Sequence, residues 1–336
     1  MGSLRLTHPA PGLPPGFSLR RPTVADARAV VDLLNAADIA EGHLPEASVD
    51  DLLGDWADID LAADAWIVER TGVRGAQGYV SVEGHGGVDF RVNLTVLPDA
   101  RARGVGSLLL GLAEDRARGE LKRSPSGVRV VIGGHVYADT ASGAWAERRG
   151  YREVRRFNQM TITLAAAPTP PTVVPGITVR TFEVGRDEQS VFTSLAQSFA
   201  DHWGSIPMSY DEWSRGFART DFDPLLWYLA LDGDEVVSTA LGLVTPAGGW
   251  VRGVGTRRDW RRRGIARALM LDLFGAYWAR GVPTIGLGVD SDSLTGALDL
   301  YLNLGMTVLE TYQRMEKEVR PGRDPATRAV RPHPEA

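Results

Sequence analysis

Two short runs carry the most legible chemistry in this sequence: Arg101-Ala102-Arg103-Gly104-Val105-Gly106 and Arg261-Arg262-Arg263-Gly264-Ile265-Ala266. Each follows a strand-like segment and precedes an amphipathic helical pattern, which puts a turn of small residues at a helix N-terminus. The first N–H groups of a helix have no partner inside it, and the helix dipole leaves positive potential there, so such a turn is an anion site. Gly104 and Gly264 allow backbone approach without a Cβ, and the arginines supply charge suited to a pyrophosphate. Neither the dinucleotide pattern G-x-G-x-x-G nor the nucleotide loop G-x-x-x-x-G-K-[ST] is present.

Composition narrows what the anion site serves. The chain has no cysteine, which removes disulfides, thiolate nucleophiles and Cys-ligated metals. Its six histidines show no paired ligand spacing, and no metal is expected. Lys and Arg number 37 against 42 Asp and Glu, a formal charge of −5, so any phosphate is held locally rather than by a global basic surface. The run RRDWRRR at 257–263 is a short local offer to nucleic acid in an acidic protein. No stretch approaches the ~20 apolar residues of a membrane span and the start lacks an apolar signal core, so a soluble, cytoplasmic protein is expected.

The elements that must position the turns occur twice. With 336 residues, 43% of them apolar and 24% charged, the chain favours two folded units. Residues 166–176, AAPTPPTVVPG, contain four prolines and read as a linker. Both halves open alike, GFSLRRPTVADARAVVDLLNAA from residue 16 and GITVRTFEVGRDEQSVFTSLAQSF from 176, each a short alternating strand followed by an acidic helix start. A strand, the Arg- and Gly-rich turn and an amphipathic helix follow in each. Leu108, Leu109 and Leu112 mark the first of these helices, and Leu269, Met270, Leu273, Phe274 and Tyr277 the second, with Gly119 and Gly281 as C-caps. Gly104 answers to Gly264 and Gly150 to Gly305, an internal duplication, and a last strand is expected to close each half, RFNQMTITL and TYQRMEKEV. The expected organisation is a flexible start (1–15), an N-terminal domain (16–165), the linker (166–176), a C-terminal domain (177–318) and a disordered tail (319–336). Strands alternating with helices give mixed α/β (α+β) sheets covered by helices.

The pattern [RQ]-x-x-G-x-[GA] in both halves, with GALDLYLNLGM later in the second, resembles the GNAT acetyltransferase superfamily in its tandem two-domain form, over about residues 17–318. The resemblance implies two tandem GNAT folds, each a mixed, mostly antiparallel sheet splayed between two parallel strands. It implies acetyl-CoA as cosubstrate, with the pyrophosphate held by Arg261, Arg262, Arg263, Gly264, Ile265 and Ala266, and in the first half by Arg101, Arg103, Gly104, Val105 and Gly106. The strand ends at Val254, Gly255 and Thr256, and at Val96, would face the pantetheine or thioester. Tyr301 stands four residues before Gly305, where the family has its general acid; on its residues alone it reads as a core aromatic beside Leu298 and Leu302. The same count from Gly150 gives Ala146, which exchanges no proton, so the first half is expected to be non-catalytic. Where the family often has an asparagine contacting the cofactor, this chain has Ser293 and Leu294.

A Cys acyl-enzyme is impossible here, so the expected reaction moves an acyl group, most simply acetyl, from CoA to a primary amine by direct attack in a ternary complex. A backbone N–H near Thr256 suits the oxyanion, and Tyr301 suits protonation of the departing thiolate. No general base stands out. Asp290 and Asp292 at a strand end, Glu235 in an earlier strand and an ordered water are the options, and each carboxylate also reads as surface charge. His202, Trp203 and Tyr210 fall where the family places substrate-facing segments, and form either an acceptor pocket or ordinary packing. The expected partner is a small-molecule or peptide amine, with no nucleic acid and no membrane, in a monomer or homodimer. The rival reading is a non-catalytic acyl-CoA sensor or scaffold.

Overall fold

The computed structural model describes residues 12–172, 174–205, 208–218, 222–293 and 295–325. In chain order the first half forms β1 (Phe17–Arg20), α1 (Ala27–Glu41), α2 (Val49–Ala57), α3 (Leu61–Asp64), β2 (Ala65–Arg70), β3 (Ala76–His85), β4 (Asp89–Val96), α4 (Pro98–Arg101), α5 (Val105–Glu120), β5 (Val130–Tyr137), α6 (Ala141–Glu147) and β6 (Arg152–Thr163). The second half forms β7 (Ile177–Thr181), α7 (Glu188–Phe199), α8 (Tyr210–Ser214), β8 (Trp227–Asp232), β9 (Glu235–Thr245), β10 (Gly248–Thr256), α9 (Ile265–Ala279), β11 (Thr284–Asp290), α10 (Ala297–Asn303) and β12 (Thr307–Arg320). Two compact units result. The first takes the chain up to Val136 with Ala141–Val154 and Arg314–Pro325, and the second takes Tyr137–Thr140 and Arg155–Gln313. Among the described residues no helix is long and apolar enough to cross a membrane.

In the first unit the strand order is β1-β2-β3-β4-β5, followed by residues 314–320 of β12. Pairing is antiparallel from β1 to β4 and parallel between β4 and β5. Strand alternation sends Phe90, Val92, Val130 and Ile132 to one face, where they bury against Val105, Leu109, Leu110, Ala113 and Ala117 of α5. The helix therefore buries Leu109 and Leu110, while Leu108 and Leu112 stay half-buried. Ile67 and Tyr79 take the other face, beneath Val30, Leu33, Leu52 and Trp56 of α1 and α2. Gly119 is not a cap, because α5 continues to Glu120, whose carboxylate is bound by Arg116 one turn earlier.

The second unit repeats the plan as β6-β11-β10-β9-β8-β7. The core face of α9 is Ile265, Leu269, Met270, Leu273, Phe274 and Tyr277, each buried side chain contributing roughly 1.5 to 3 kcal/mol, and Gly281 at φ 71 follows its C-terminus. The strands expected to close each half do not do so. β6 pairs antiparallel with β11, from Thr163 opposite Thr284 to Phe157 opposite Asp290, and its Met160 is fully buried with Ile285 and Leu287. Met315 of β12 instead lies in the first unit's core. Both strands carry the same alternating apolar pattern, so pattern alone does not choose between the two sheets. The chain also stays anchored beyond Arg320: the Arg323 N–H donates to the Gly127 carbonyl at 2.9 Å, and the Arg129 N–H donates to the Arg323 carbonyl at 2.9 Å. Residues 1–11 and 326–336, the greater part of the expected loose ends, lie outside the described residues.

Candidate functional site

The parallel pairing of β10 with β11 joins Gly249–Val251 to Ile285–Leu287 and goes no further. Against β9 the register shifts between Val251 and Gly253, a bulge that bends β10 where it leaves β11. The Arg257 N–H donates to the Val237 carbonyl of β9 at 2.9 Å. Alternation therefore turns the N–H groups of Val254 and Thr256 the other way, toward the opening. A cleft of about 250 Å³ lies there.

Val254, Gly255 and Thr256 line this cleft, as do Arg261, Arg262, Gly264, Ile265 and Ala266 of the turn, and Tyr301 of α10. Arg261 does more than carry charge: its Nε donates to the Thr256 carbonyl at 3.0 Å and an Nη to the Ser198 carbonyl at 3.0 Å, bracing the loop against α7. Arg263 donates to the Asp259 carbonyl at 2.8 Å and is not part of the lining. Arg262 is held at φ 60, a backbone region that costs a non-glycine residue of order 1 to 3 kcal/mol, and it faces the cleft together with Arg267. Gly264 caps α9 at φ 82, where it leaves the amides of Ile265 and Ala266 at the start of the helix. A pyrophosphate fits this donor set.

Tyr301 is buried, and its pKa is pushed up to about 12 by that burial, so its phenol stays protonated through the neutral range. His202, just past α7, lines the same cleft, with its ring 4.8 Å from that of Phe199. Burial lowers its basicity, as do Arg261 and Arg155, while Asp290 and Asp201 oppose them. Trp203 and Tyr210 are not in the lining. Trp203 packs edge-on to Phe157 at 6.2 Å, and Tyr210 packs edge-on to Phe192 at 5.6 Å. No cluster of three or more metal-binding side chains is found among the described residues.

The carboxylates weighed as bases are engaged elsewhere. Asp290 accepts two 2.8 Å bonds from Arg155, both side chains being almost fully buried, and Glu235 is paired with Arg257. The Asp292 carboxylate lies 3.6 Å from Arg155 and is 54% exposed. Ser293 bonds Thr295 at 2.9 Å, and Leu294 lies outside the described residues. Several lining residues went unread in the sequence, among them Arg267 and Ser198. Ser198 of α7 is 5% exposed, and its hydroxyl has no hydrogen-bond partner among the described residues. A Cβ on Gly255 would lie 2.9 Å from the Ser198 Cβ, so the glycine is what admits this serine to the cleft. The readable signal is the pairing of halves: Asp26 and Asp187, immediately before α1 and α7, bind Arg20 and Arg180, and counting from those two aspartates sets Ser198 opposite Ala37 and His202 opposite Glu41.

The first unit's turn has the same braces. Arg101 Nε donates to the Val96 carbonyl at 2.8 Å, Arg103 Nε to the Asp99 carbonyl at 3.1 Å, and Gly104 caps α5 at φ 87. Val105 is buried, and beside Gly106 the Trp145 ring stands 3.5 Å from where a Cβ would be. Arg149 stacks on Trp145 at 3.9 Å and bonds the Ser107 hydroxyl. Glu41 is ion-paired with Arg101, and Ala146 is buried.

Residues 189–306, from α7 through α10, match the Acetyltransferase (GNAT) family. The mycothiol acetyltransferase of Geodermatophilus obscurus is 33% identical over 299 residues, spanning 84% of this chain and 91% of that one. That of Catenulispora acidiphila is 30% identical over 305 residues, spanning 86% and 94%. The crystal structure of a GCN5-related N-acetyltransferase from Sphaerobacter thermophilus superposes with a TM-score of 0.83 at 36% identity, covering 93% of this chain and 98% of that chain. A tandem GNAT protein from the clavulanic acid biosynthesis pathway shares the fold, with a TM-score of 0.66 at 18% identity over 91% of this chain and 99% of its own.

Proposed function

From the premise that this chain belongs to the GNAT acetyltransferase family, as an N-acetyltransferase with acetyl-CoA as cosubstrate, we propose that its second unit performs the transfer and that the first does not. One observation carries this reading: Tyr301, the outward amides of Val254 and Thr256, and the Arg- and Gly-rich turn line a single cleft. In the first unit Ala146 stands in the place of the tyrosine.

Arg262, Arg267 and the amides that open α9 hold the pyrophosphate, and the opening between β10 and β11 takes the pantetheine arm. The Thr256 N–H, directed into that opening, donates to the carbonyl oxygen as negative charge gathers on it. The amine attacks directly, since the chain has no cysteine to form an acyl-enzyme. Tyr301 gives its proton to the departing sulfur. With a pKa of about 12 the phenol is protonated when the thiolate, of conjugate pKa near 8.5, leaves. The acceptor is a small-molecule primary amine, and because the relatives are mycothiol acetyltransferases, mycothiol lacking its acetyl group is the first to test.

The test follows release of CoA thiol from acetyl-CoA with that acceptor and with a panel of small primary amines. Y301F is expected to turn over ~10² to 10⁴-fold more slowly while still binding acetyl-CoA. Equal turnover by Y301F and the unaltered chain would remove the tyrosine from the reaction.

A further inference from the structure

We propose that His202 is the proton acceptor for the attacking amine in the second unit's cleft. This assignment rests on reading that cleft as the acyl-transfer site.

The ring stands in the cleft wall with Thr256 and Tyr301. Its segment is pinned on both sides of the residue: the His202 N–H donates to the Phe199 carbonyl at 2.9 Å, and the Ser205 N–H donates to the His202 carbonyl at 3.1 Å. The ring packs on Phe199, and among the described residues no protein group takes a hydrogen bond from its nitrogens or gives one to them. A lone pair in the cleft wall is therefore open to a ligand. The neighbouring carboxylates are occupied: Asp201 by Arg258 at 2.7 Å and Arg261 at 3.5 Å, and Asp290 by Arg155.

The duplication supplies an internal control. Counted from Asp26 and Asp187, Glu41 stands at the position of His202 and Ala37 at that of Ser198; by ion pairing, Glu41 with Arg101 repeats Asp201 with Arg261 and puts Gly42 at the position of His202, so on either count no imidazole stands there, and Ala146 stands in the place of Tyr301. The phosphate turn persists in that unit, whereas neither the histidine nor the tyrosine is repeated. Loss of the histidine together with the tyrosine is what shared work in proton transfer predicts.

The charged groups around the ring are Asp201 after α7, Arg261 of the turn, Arg155 of β6 and Asp290 of β11, with Tyr301 across the cleft. Burial and the two arginines outweigh the two carboxylates, so the ring is neutral at pH 7 and able to accept. In the step, the nitrogen lone pair forms a C–N bond to the thioester carbonyl carbon, and the proton the nitrogen sheds goes to His202. The C–S bond breaks with its electron pair on sulfur, and sulfur takes the Tyr301 proton. Solvent returns the His202 proton to the Tyr301 oxygen, and the products are an amide and CoA thiol.

The test compares the full chain with H202Q, using mycothiol lacking its acetyl group and the small-amine panel as acceptors. H202Q is expected to lose ~10² to 10³-fold in kcat, and with it the acidic limb of the kcat/KM profile below pH 6.5, while its Kd for acetyl-CoA stays within about twofold by calorimetry. H202N takes its place should H202Q not bind acetyl-CoA. An active parent with a variant that keeps its turnover and its acidic limb overturns the assignment alone. A parent that releases no CoA thiol with any amine overturns the acyl-transfer reading, and the role of His202 with it.

Discussion

The two Arg- and Gly-rich turns are nearly superimposable in their internal bonding and opposite in their surroundings. In both, the first arginine caps the preceding strand, at Val96 or Thr256, the arginine just before the glycine caps the loop, and that glycine, near φ 85, starts the helix. Around the first, Trp145, Arg149 and Ser107 close over the helix start, and β3 pairs with β4 without a register shift. Around the second, β10 is bulged and Ser198, His202 and Tyr301 face a cleft. The arginines that make the motif conspicuous are chiefly loop braces, so the motif recurs in the unit where Ala146 stands in the place of the tyrosine. What separates the two units is what the flanking helices bring to the turn.

Replacement of Tyr301 breaks the comparison most sharply. Y301F is expected to remove ~10² to 10⁴ in turnover, whereas A146Y in the first unit should add nothing measurable to CoA release. The sign with pH follows from the raised phenol: the protonated form is the active one, so activity holds below its pKa and falls as pH rises toward about 12, a limb that Y301F should lack. A measured basic limb near 10 would place the phenol in water rather than in a buried wall.

Next in size is D290N. Breaking a buried, bidentate ion pair costs ~3 to 5 kcal/mol, so the midpoint of chemical denaturation should drop, while turnover below that midpoint should stay within a few-fold of the parent. A large loss of turnover without loss of stability would restore Asp290 as a base.

Gly264→Val places a β-branched residue at φ 82 in the second turn and should weaken acetyl-CoA binding by at least ~10-fold, given a strain of order 1 to 3 kcal/mol. Gly104→Val strains the first turn equally, yet turnover should hardly move. The smallest effect is expected of W145A. Calorimetry should show a second equivalent of acetyl-CoA bound once the indole no longer stands against Gly106, with CoA release unchanged.

Much of this was legible beforehand. Strand alternation and the 3.6-residue pattern located the helices, and two turns at matched depth exposed the duplication. Tyr301 was readable only through the later motif, because a tyrosine between leucines has the pattern of a core residue. Other features depended on distance rather than sequence. Asp290 resembles any strand-end carboxylate until Arg155 is seen 2.8 Å away, and Ser198 looks like a polar helix position until its burial beside Gly255 is known.

The amino-acid order by itself determined that there are two copies of an Arg- and Gly-rich strand-turn-helix, that the chain has no thiol of its own, and that one copy has a phenol where the other has a methyl. The tertiary structure alone decided which strand completes which sheet, because β6 and β12 carry interchangeable alternating patterns and pairing is settled by the core each side chain fills. It also decided which charged groups are spent on one another and which still face open space. Ion pairing and desolvation depend on separations of a few ångströms between residues far apart in the chain, which local sequence does not encode.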